Sequence, residues 1–331
     1  MVTSDVSRSE NIMPTQTIRV AAVQLRSDVG ETAKNLQRAG ELASQAAAQG
    51  ARIVVLPELT PGGYVLTEDI WNTAESMQGK SVTWLKGTAE RLGIYLGMSF
   101  LEAEGLDFYN SFVLATPRGE IAGRVRKNPP ASAEAYFFRA GSDAHFIDTE
   151  LGRIGVGICY EAILYERLAE LHRDSVDIVL YPMSAGTPTP VLPIRERDAV
   201  AFDNMLQRLA AHHARALGVP TVMANKCGPL VTAMPAWLPA QDTRFPGLST
   251  IVDSDGIVKS QLGSEQGIAI GDVILDPARK VAATPQRHGR WALPVPWFSF
   301  SFPLAAFFGA RAYARSNARA ARALAVGHVD G

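Results

Sequence analysis

The chain has 331 residues, of which 47% are apolar and 20% charged, and its formal net charge is −1. That balance fits a globular protein with a sizeable core and offers nothing to nucleic acid or another strongly charged partner. Two cysteines, Cys159 and Cys227, are too few for a disulfide framework and imply a reducing, cytoplasmic setting.

Residues 1–16 are polar and mixed, lack an apolar core of signal-peptide length, and are expected to form a flexible tail. Residues 17–24 (TIRVAAVQ) predict a strand from their β-branched and apolar content. The alanine-rich stretch 35–49 predicts a helix closed by Gly50, and 53–56 predicts an apolar strand that stops at Pro57-Glu58. A helix is expected over 81–92 and a strand over 95–99. Two antiparallel strands, 109–116 and 120–126, are joined at Pro117-Arg118-Gly119, and a loop with Pro129, Pro130 and Gly141 spans 128–144.

The pattern then restarts. A strand over 153–158 runs into Cys159, and a helix is expected over 162–172. A strand over 177–181, a long helix over 195–217 and a strand over 221–224 follow. A hairpin, 250–253 with 257–261, turns at Ser254-Asp255-Gly256, and the strand 267–275 closes this block. Strands alternating with helices predict an α/β protein, and the hairpins make its sheets mixed. The halves share a loose element order without a residue-level repeat. No linker divides 17–276, which reads as one domain, with 277–331 as a C-terminal extension.

The extension is aromatic, then rich in alanine and arginine. Pro294, Pro296 and Pro303 interrupt its apolar stretch, which excludes a membrane span over 291–310. Arg311, Arg315, Arg319 and Arg322 recur at helical spacing. A basic amphipathic helix over 291–325 can lie on a membrane surface, but packing on the chain's own domain or on a neighbouring subunit is the favoured expectation.

Three residues able to do chemistry follow strands: Glu58, Lys127 and Cys159. In open α/β sheets, sites form beyond strand ends. Taken singly, Glu58 reads as a solvated carboxylate, Lys127 as a surface lysine and Cys159 as a small buried apolar residue. A cysteine between a strand and a helix also lies near free backbone N–H groups, which would favour a thiolate. No histidine stands at a comparable strand end, which weakens a Cys-His arrangement, and Cys227 reads as structural. Gly155-x-Gly157 is no dinucleotide fingerprint, because Tyr occupies position 160, and no metal-ligand spacing is present.

Together with VAAVQL, LPELTPGGY, YNSF, GRVRK, GVGICYE, VMANKCG and FPGLSTIVDSDG, these residues give the chain a resemblance to the nitrilase superfamily of carbon–nitrogen hydrolases, running from 17 to about 276. The resemblance implies a four-layer α-β-β-α sandwich, a homodimer or larger homo-oligomer, a small amide or nitrile as substrate, and no cofactor or metal. It implies that Glu58 is the general base, Cys159 the nucleophile and Lys127 the oxyanion stabiliser. Glu134, in EAYFFRAG, matches the family's second glutamate. The backbone N–H of Tyr160 is a second oxyanion donor, and Tyr64, Glu161, Met183 and Ser184 are expected at the substrate pocket. Glu161 can also orient Lys127 or cap the following helix.

Two departures bear on the substrate. Asn128-Pro129-Pro130 replaces the His or Leu that many members carry after the lysine, and Tyr160 stands where true nitrilases usually have Trp. The second favours an amide over a nitrile. A nitrilase, or a non-catalytic scaffold or membrane-surface protein, are the competing readings.

Overall fold

The computed structural model describes residues 14–236 and 238–329, and the side chains of 327–329 are outside the description. Residues 1–13 of the expected tail lie outside the described residues. The first half of the chain lays down β1 (Gln16–Gln24), α1 (Thr32–Ala48), β2 (Ile53–Val55), α2 (Lys80–Leu92), β3 (Tyr95–Glu104), β4 (Asp107–Ala115) and β5 (Ile121–Arg126). The second half continues with β6 (Phe146–Thr149), β7 (Gly152–Val156), α3 (Tyr165–Arg173), β8 (Ile178–Pro182), α4 (Glu196–Leu217) and β9 (Thr221–Ala224). A hairpin, β10 (Cys227–Thr232) with β11 (Gln241–Pro246), precedes β12 (Thr250–Val252), β13 (Val258–Gln261) and β14 (Gly267–Leu275). The extension adds α5 (Phe302–Arg315) and α6 (Asn317–Val329).

Two six-stranded mixed sheets result. Their orders are β14-β1-β2-β3-β4-β5 and β13-β12-β9-β8-β7-β6. Each has a parallel centre, β1-β2-β3 or β7-β8-β9, because a helix crosses between those strands. Alternation along β1 explains the layering. Val20 and Ala22 face the second sheet and join one apolar cluster with Ile154, Ile178 and Val222. Ala21 and Val23 face the opposite way, onto Leu36 and Leu42 of α1 and Leu85 of α2. Helices α3 and α4 cover the far side of the second sheet, with Leu168 and Leu209 in its cluster. The expected α-β-β-α sandwich is therefore present. Each fully buried Val, Ile or Leu contributes about 1.5–3 kcal/mol. A surface ion pair contributes about 0–1 kcal/mol, so the dry interface between the sheets dominates their cohesion.

Three elements differ from expectation. β14 does not close the second block but pairs antiparallel with β1, from Gln16↔Leu275 to Gln24↔Gly267, so it closes the first sheet. The β10–β11 ribbon was not predicted, since Pro229 and Arg244 break the apolar alternation that marks a strand. The helix after Cys159 begins at Tyr165, not near 162. A short 3₁₀ turn, Cys159–Ile163, comes first, and Leu164 then takes an extended backbone.

The extension returns to the domain. In α5, a Cβ on Gly309 would stand 2.7 Å from the Tyr136 ring and 2.9 Å from the Ala135 backbone, so only glycine lets the helix approach the turn Ser132–Tyr136. The Phe108 N–H donates to the Tyr313 hydroxyl at 2.8 Å. Arg319 pairs with Asp107, and Arg322 donates to the Glu68 carbonyl and lies 5.4 Å from the Trp71 ring. Of the four arginines at helical spacing, Arg311 and Arg315 are exposed while these two bind the chain's own domain. Among the described residues no helix is long and apolar enough to cross a membrane.

Candidate active site

The strands carry Glu58, Lys127 and Cys159 past their ends to one place between the sheets. Glu58 is fully buried, and its N–H donates to the Met183 carbonyl at 3.2 Å while its own carbonyl accepts from the Ser184 hydroxyl at 3.0 Å. These bonds tie the end of β2 to the end of β8, that is, one sheet to the other. The Glu58 Oε1 accepts from Lys127 Nζ at 2.6 Å and from Asn110 Nδ2 at 2.7 Å. Its Oε2 is buried without a hydrogen-bond partner among the described residues.

Lys127 also reaches Glu134, at 2.9 Å to Oε1 and 2.7 Å to Oε2. Glu134 accepts from the Tyr64 hydroxyl at 2.9 Å and from the Ala131 N–H at 2.8 Å. Burial would lower the Lys127 pKa, but the negative charges of Glu134 and then Glu58 overcome it, so the ammonium is held above its ordinary range. Burial raises the Glu134 pKa, with Lys127 opposing and Glu58 reinforcing the rise. Two carboxylates thus share one ammonium out of water, and three of their four oxygens are hydrogen-bonded, Glu58 Oε2 being the exception.

Cys159 lines the adjoining cavity, with a backbone φ of 52°, the left-handed region that residues with a Cβ seldom enter. Such strain costs about 1–3 kcal/mol and collects where a side chain must be presented. Burial raises the thiol pKa, and Glu58 raises it further. Lys127 and the Ser184 N–H pull it down without reversing the shift. The expectation of a thiolate favoured by a helix end is not met: α3 begins too far along the chain, and burial together with Glu58 favours the thiol instead.

Glu161 is not a pocket wall, which is a second correction. It is absent from the cavity lining, and its carboxylate accepts from the Ile158 N–H at 2.6 Å, the Asn128 N–H at 2.9 Å and Arg167 at 3.0 Å, with His145 Nε2 at 2.7 Å. It joins the chain beside Cys159 to the chain beside Lys127. Burial opposes its ionisation, but His145, Arg167 and the Ile158 N–H together lower its pKa.

Tyr64, Met183 and Ser184 line the cavity, as does Tyr160, whose ring lies 5.7 Å from the Phe302 ring. Two residues were missed. Asn110, inside the noticed YNSF motif, relays from Ser99 Oγ, which donates to it at 2.6 Å, to Glu58. Its signal was an amide at a buried position of a strand that the YNSF motif had already marked. Lys226, inside VMANKCG, is buried with Nζ 3.3 Å from the Leu59 carbonyl, and burial lowers its pKa to about 7. Among the described residues no cluster of His, Cys, Asp and Glu is placed to hold a metal ion.

Comparison with known proteins places this geometry in context. Residues 19–283 match the carbon-nitrogen hydrolase family. The chain is 30% identical over 289 residues to the omega-amidase NIT2 of Danio rerio, covering 82% of this chain and 94% of that protein. It is 34% identical over 185 residues to a nitrilase of Pyrococcus abyssi, covering 54% of this chain and 70% of that protein. Among solved structures, Saccharomyces cerevisiae Nit3, of the nitrilase superfamily, superposes with a TM-score of 0.65 at 24% identity, over 80% of this chain and 92% of that one. An amidase from Nesterenkonia sp. gives a TM-score of 0.64 at 23% identity, over 81% and 95%.

Proposed function

This chain belongs to the carbon–nitrogen hydrolase family and is a hydrolase, and on that premise we propose that it cleaves the non-peptide C–N bond of a small amide through a thioester on Cys159. The observation that carries the reading is the unpartnered Glu58 Oε2, buried beside a thiol whose pKa that same carboxylate raises. A carboxylate oxygen with no donor is free to take a proton, and a protonated thiol has one to give.

The steps balance as follows. The Cys159 proton passes to Glu58 as sulfur bonds to the amide carbon. The oxyanion formed accepts from Lys127 Nζ and the Tyr160 N–H, where loss of one donor costs about 3 kcal/mol. As the C–N bond breaks, Glu58 returns its proton to the leaving nitrogen, which departs as ammonia or an amine. Water, deprotonated by Glu58, then attacks the thioester; the acid leaves and the sulfur regains a proton. Glu134 acts by fixing Lys127. In a point mutant of a Nesterenkonia amidase of the same fold, the active-site cysteine carries the Michael adduct of acrylamide or the acetamide moiety of fluoroacetamide, which supports sulfur as the nucleophile here.

The test is ammonia release from a panel of amides and nitriles, with intact mass spectrometry for an acyl adduct. Cys159→Ala should reduce amide turnover by about 10⁴-fold or more. Equal release by that variant removes the proposal, and release from nitriles alone replaces it with nitrilase chemistry. An exposed apolar row in the extension, Phe300, Leu304, Phe307 and Phe308, supports a homo-oligomer, which light scattering checks.

A further inference from the structure

The cavity above Cys159 has a volume of about 610 Å³. Among the described residues that line it, Glu134 is the one charged side chain. Both its oxygens are already committed, to Lys127, the Tyr64 hydroxyl and the Ala131 N–H. The other polar side chains of the lining are neutral: the Tyr160 hydroxyl is buried without a partner among the described residues, and several of the rest are committed to backbone. Thr232 accepts from the Leu66 N–H and donates to the Ala233 carbonyl, and Ser301 donates to the Phe298 carbonyl. A ligand carboxylate or ammonium would therefore enter without a counter-charge, at a cost that grows steeply with burial.

What the walls do offer is apolar surface. Ile163, Met205 and Leu206 come from the sandwich, and Phe298 and Phe302 come from the extension. Phe298 lies 5.9 Å from Phe202 by ring centroid, and Phe302 lies 5.7 Å from Tyr160, the residue after the nucleophile. The family match ends at residue 283, so the rings at 298 and 302 are contributed by a segment beyond the shared scaffold. The space next to the reacting carbon is thus shaped by a part of this chain that the family chemistry does not require.

We infer that the substrate is a neutral amide carrying a bulky apolar group, and that the C-terminal extension, through Phe298 and Phe302, is the wall that selects it. This rests on the amidase reading for the word amide, but the pocket chemistry stands by itself and can be measured without turnover. Cys159→Ala protein is titrated by calorimetry with butanamide, hexanamide and 4-phenylbutanamide. It is titrated in parallel with amides of matched length that end in a carboxylate (4-carbamoylbutanoate) or an ammonium (5-aminopentanamide). Affinity should rise about fourfold per added methylene, and the charged amides should bind on the order of 100-fold more weakly. In the otherwise native enzyme, Phe298→Ala and Phe302→Ala should each lower the ratio of kcat/KM for 4-phenylbutanamide to that for acetamide by about tenfold. A ratio taken within one variant cancels any loss of folded enzyme.

Charged amides that bind as well as their neutral counterparts overturn the inference. So does the absence of saturable binding by every neutral amide, or an unchanged ratio in both variants. If the neutral series binds in the stated order but no amide is turned over by the native enzyme, the amidase reading falls while the pocket assignment holds.

Discussion

At the floor of the cavity Glu58 and Glu134 lie out of water, each within hydrogen-bond reach of Lys127, whereas the outer walls, among the described residues, carry no charge. The floor is over-determined. Asn110, Tyr64 and the Ala131 N–H each hold one of its oxygens, and main-chain bonds to Met183 and Ser184 fix Glu58 to the opposite sheet. The walls are ordinary packing, partly supplied by a segment outside the family match. Buried charge tolerates almost no change, while apolar packing tolerates substitution at modest cost. Reactivity and selectivity should therefore separate under mutation.

The largest effect should come from the floor. Glu58→Gln should lower amide turnover by about 10²–10⁴-fold through loss of the base. The same change removes the negative charge that helps raise the Cys159 pKa, so the thiol should ionise at lower pH. The rate of iodoacetamide alkylation, followed by intact mass against pH, should begin its rise earlier than in the native enzyme. Unfolding would also expose this buried thiol and let it ionise earlier, so the comparison is made on a variant whose circular dichroism and urea midpoint match the native enzyme. An alkylation profile that is unshifted or moves to higher pH defeats the assignment of Glu58 as the neighbour controlling this sulfur.

A smaller effect comes from the wall. Gly309→Val overfills the contact of α5 with the Tyr136 ring and should cost about 1–3 kcal/mol in urea unfolding. The selectivity ratio for 4-phenylbutanamide over acetamide should fall with it, because Phe302 begins the displaced helix. Full selectivity in a destabilised variant would show that the walls do not depend on the docking of α5.

The smallest effect concerns Lys226, which, unlike Lys127, has no carboxylate bonded to it among the described residues. Its folded pKa, about 7, lies below the ordinary 10.5 because of burial. Between those values the unfolded chain binds more protons, so stability rises with pH across that window and the penalty is fully present below it. Lys226→Met should be more stable than the native protein near pH 6, with the gap closing as pH approaches 10, as read by thermal unfolding. A gap that widens with pH sinks this reading of Lys226.

The sequence exposed what depends on local pattern. Apolar runs ending at Glu58, Lys127 and Cys159 gave strands and strand-end residues, and the quoted motifs gave their grouping. What it hid depends on contacts distant in the chain. Lys226 beside a cysteine reads as a solvated lysine until the Leu59 carbonyl is seen above it. Glu161 reads as a pocket residue or a helix cap. It does cap, but the Ile158 N–H that it holds opens the 3₁₀ turn Cys159–Ile163 ahead of α3, and the Asn128 N–H, Arg167 and His145 hold the same carboxylate from distant parts of the chain. The docking of α5 turns on a single glycine whose value is set by Tyr136, far away in sequence.

The pairing of β1 with β14 sets a schedule for the ribosome. Val20 waits for Gly271, roughly 250 residues later, which at about 5–20 residues per second is between about 12 and 50 s of synthesis. Throughout that interval one edge of the first strand has no native neighbour, and an open edge invites pairing with other nascent copies. The N-terminal strand is therefore the segment of a growing chain that a holding chaperone should find first, and a polysome is where this protein is most exposed to aggregation.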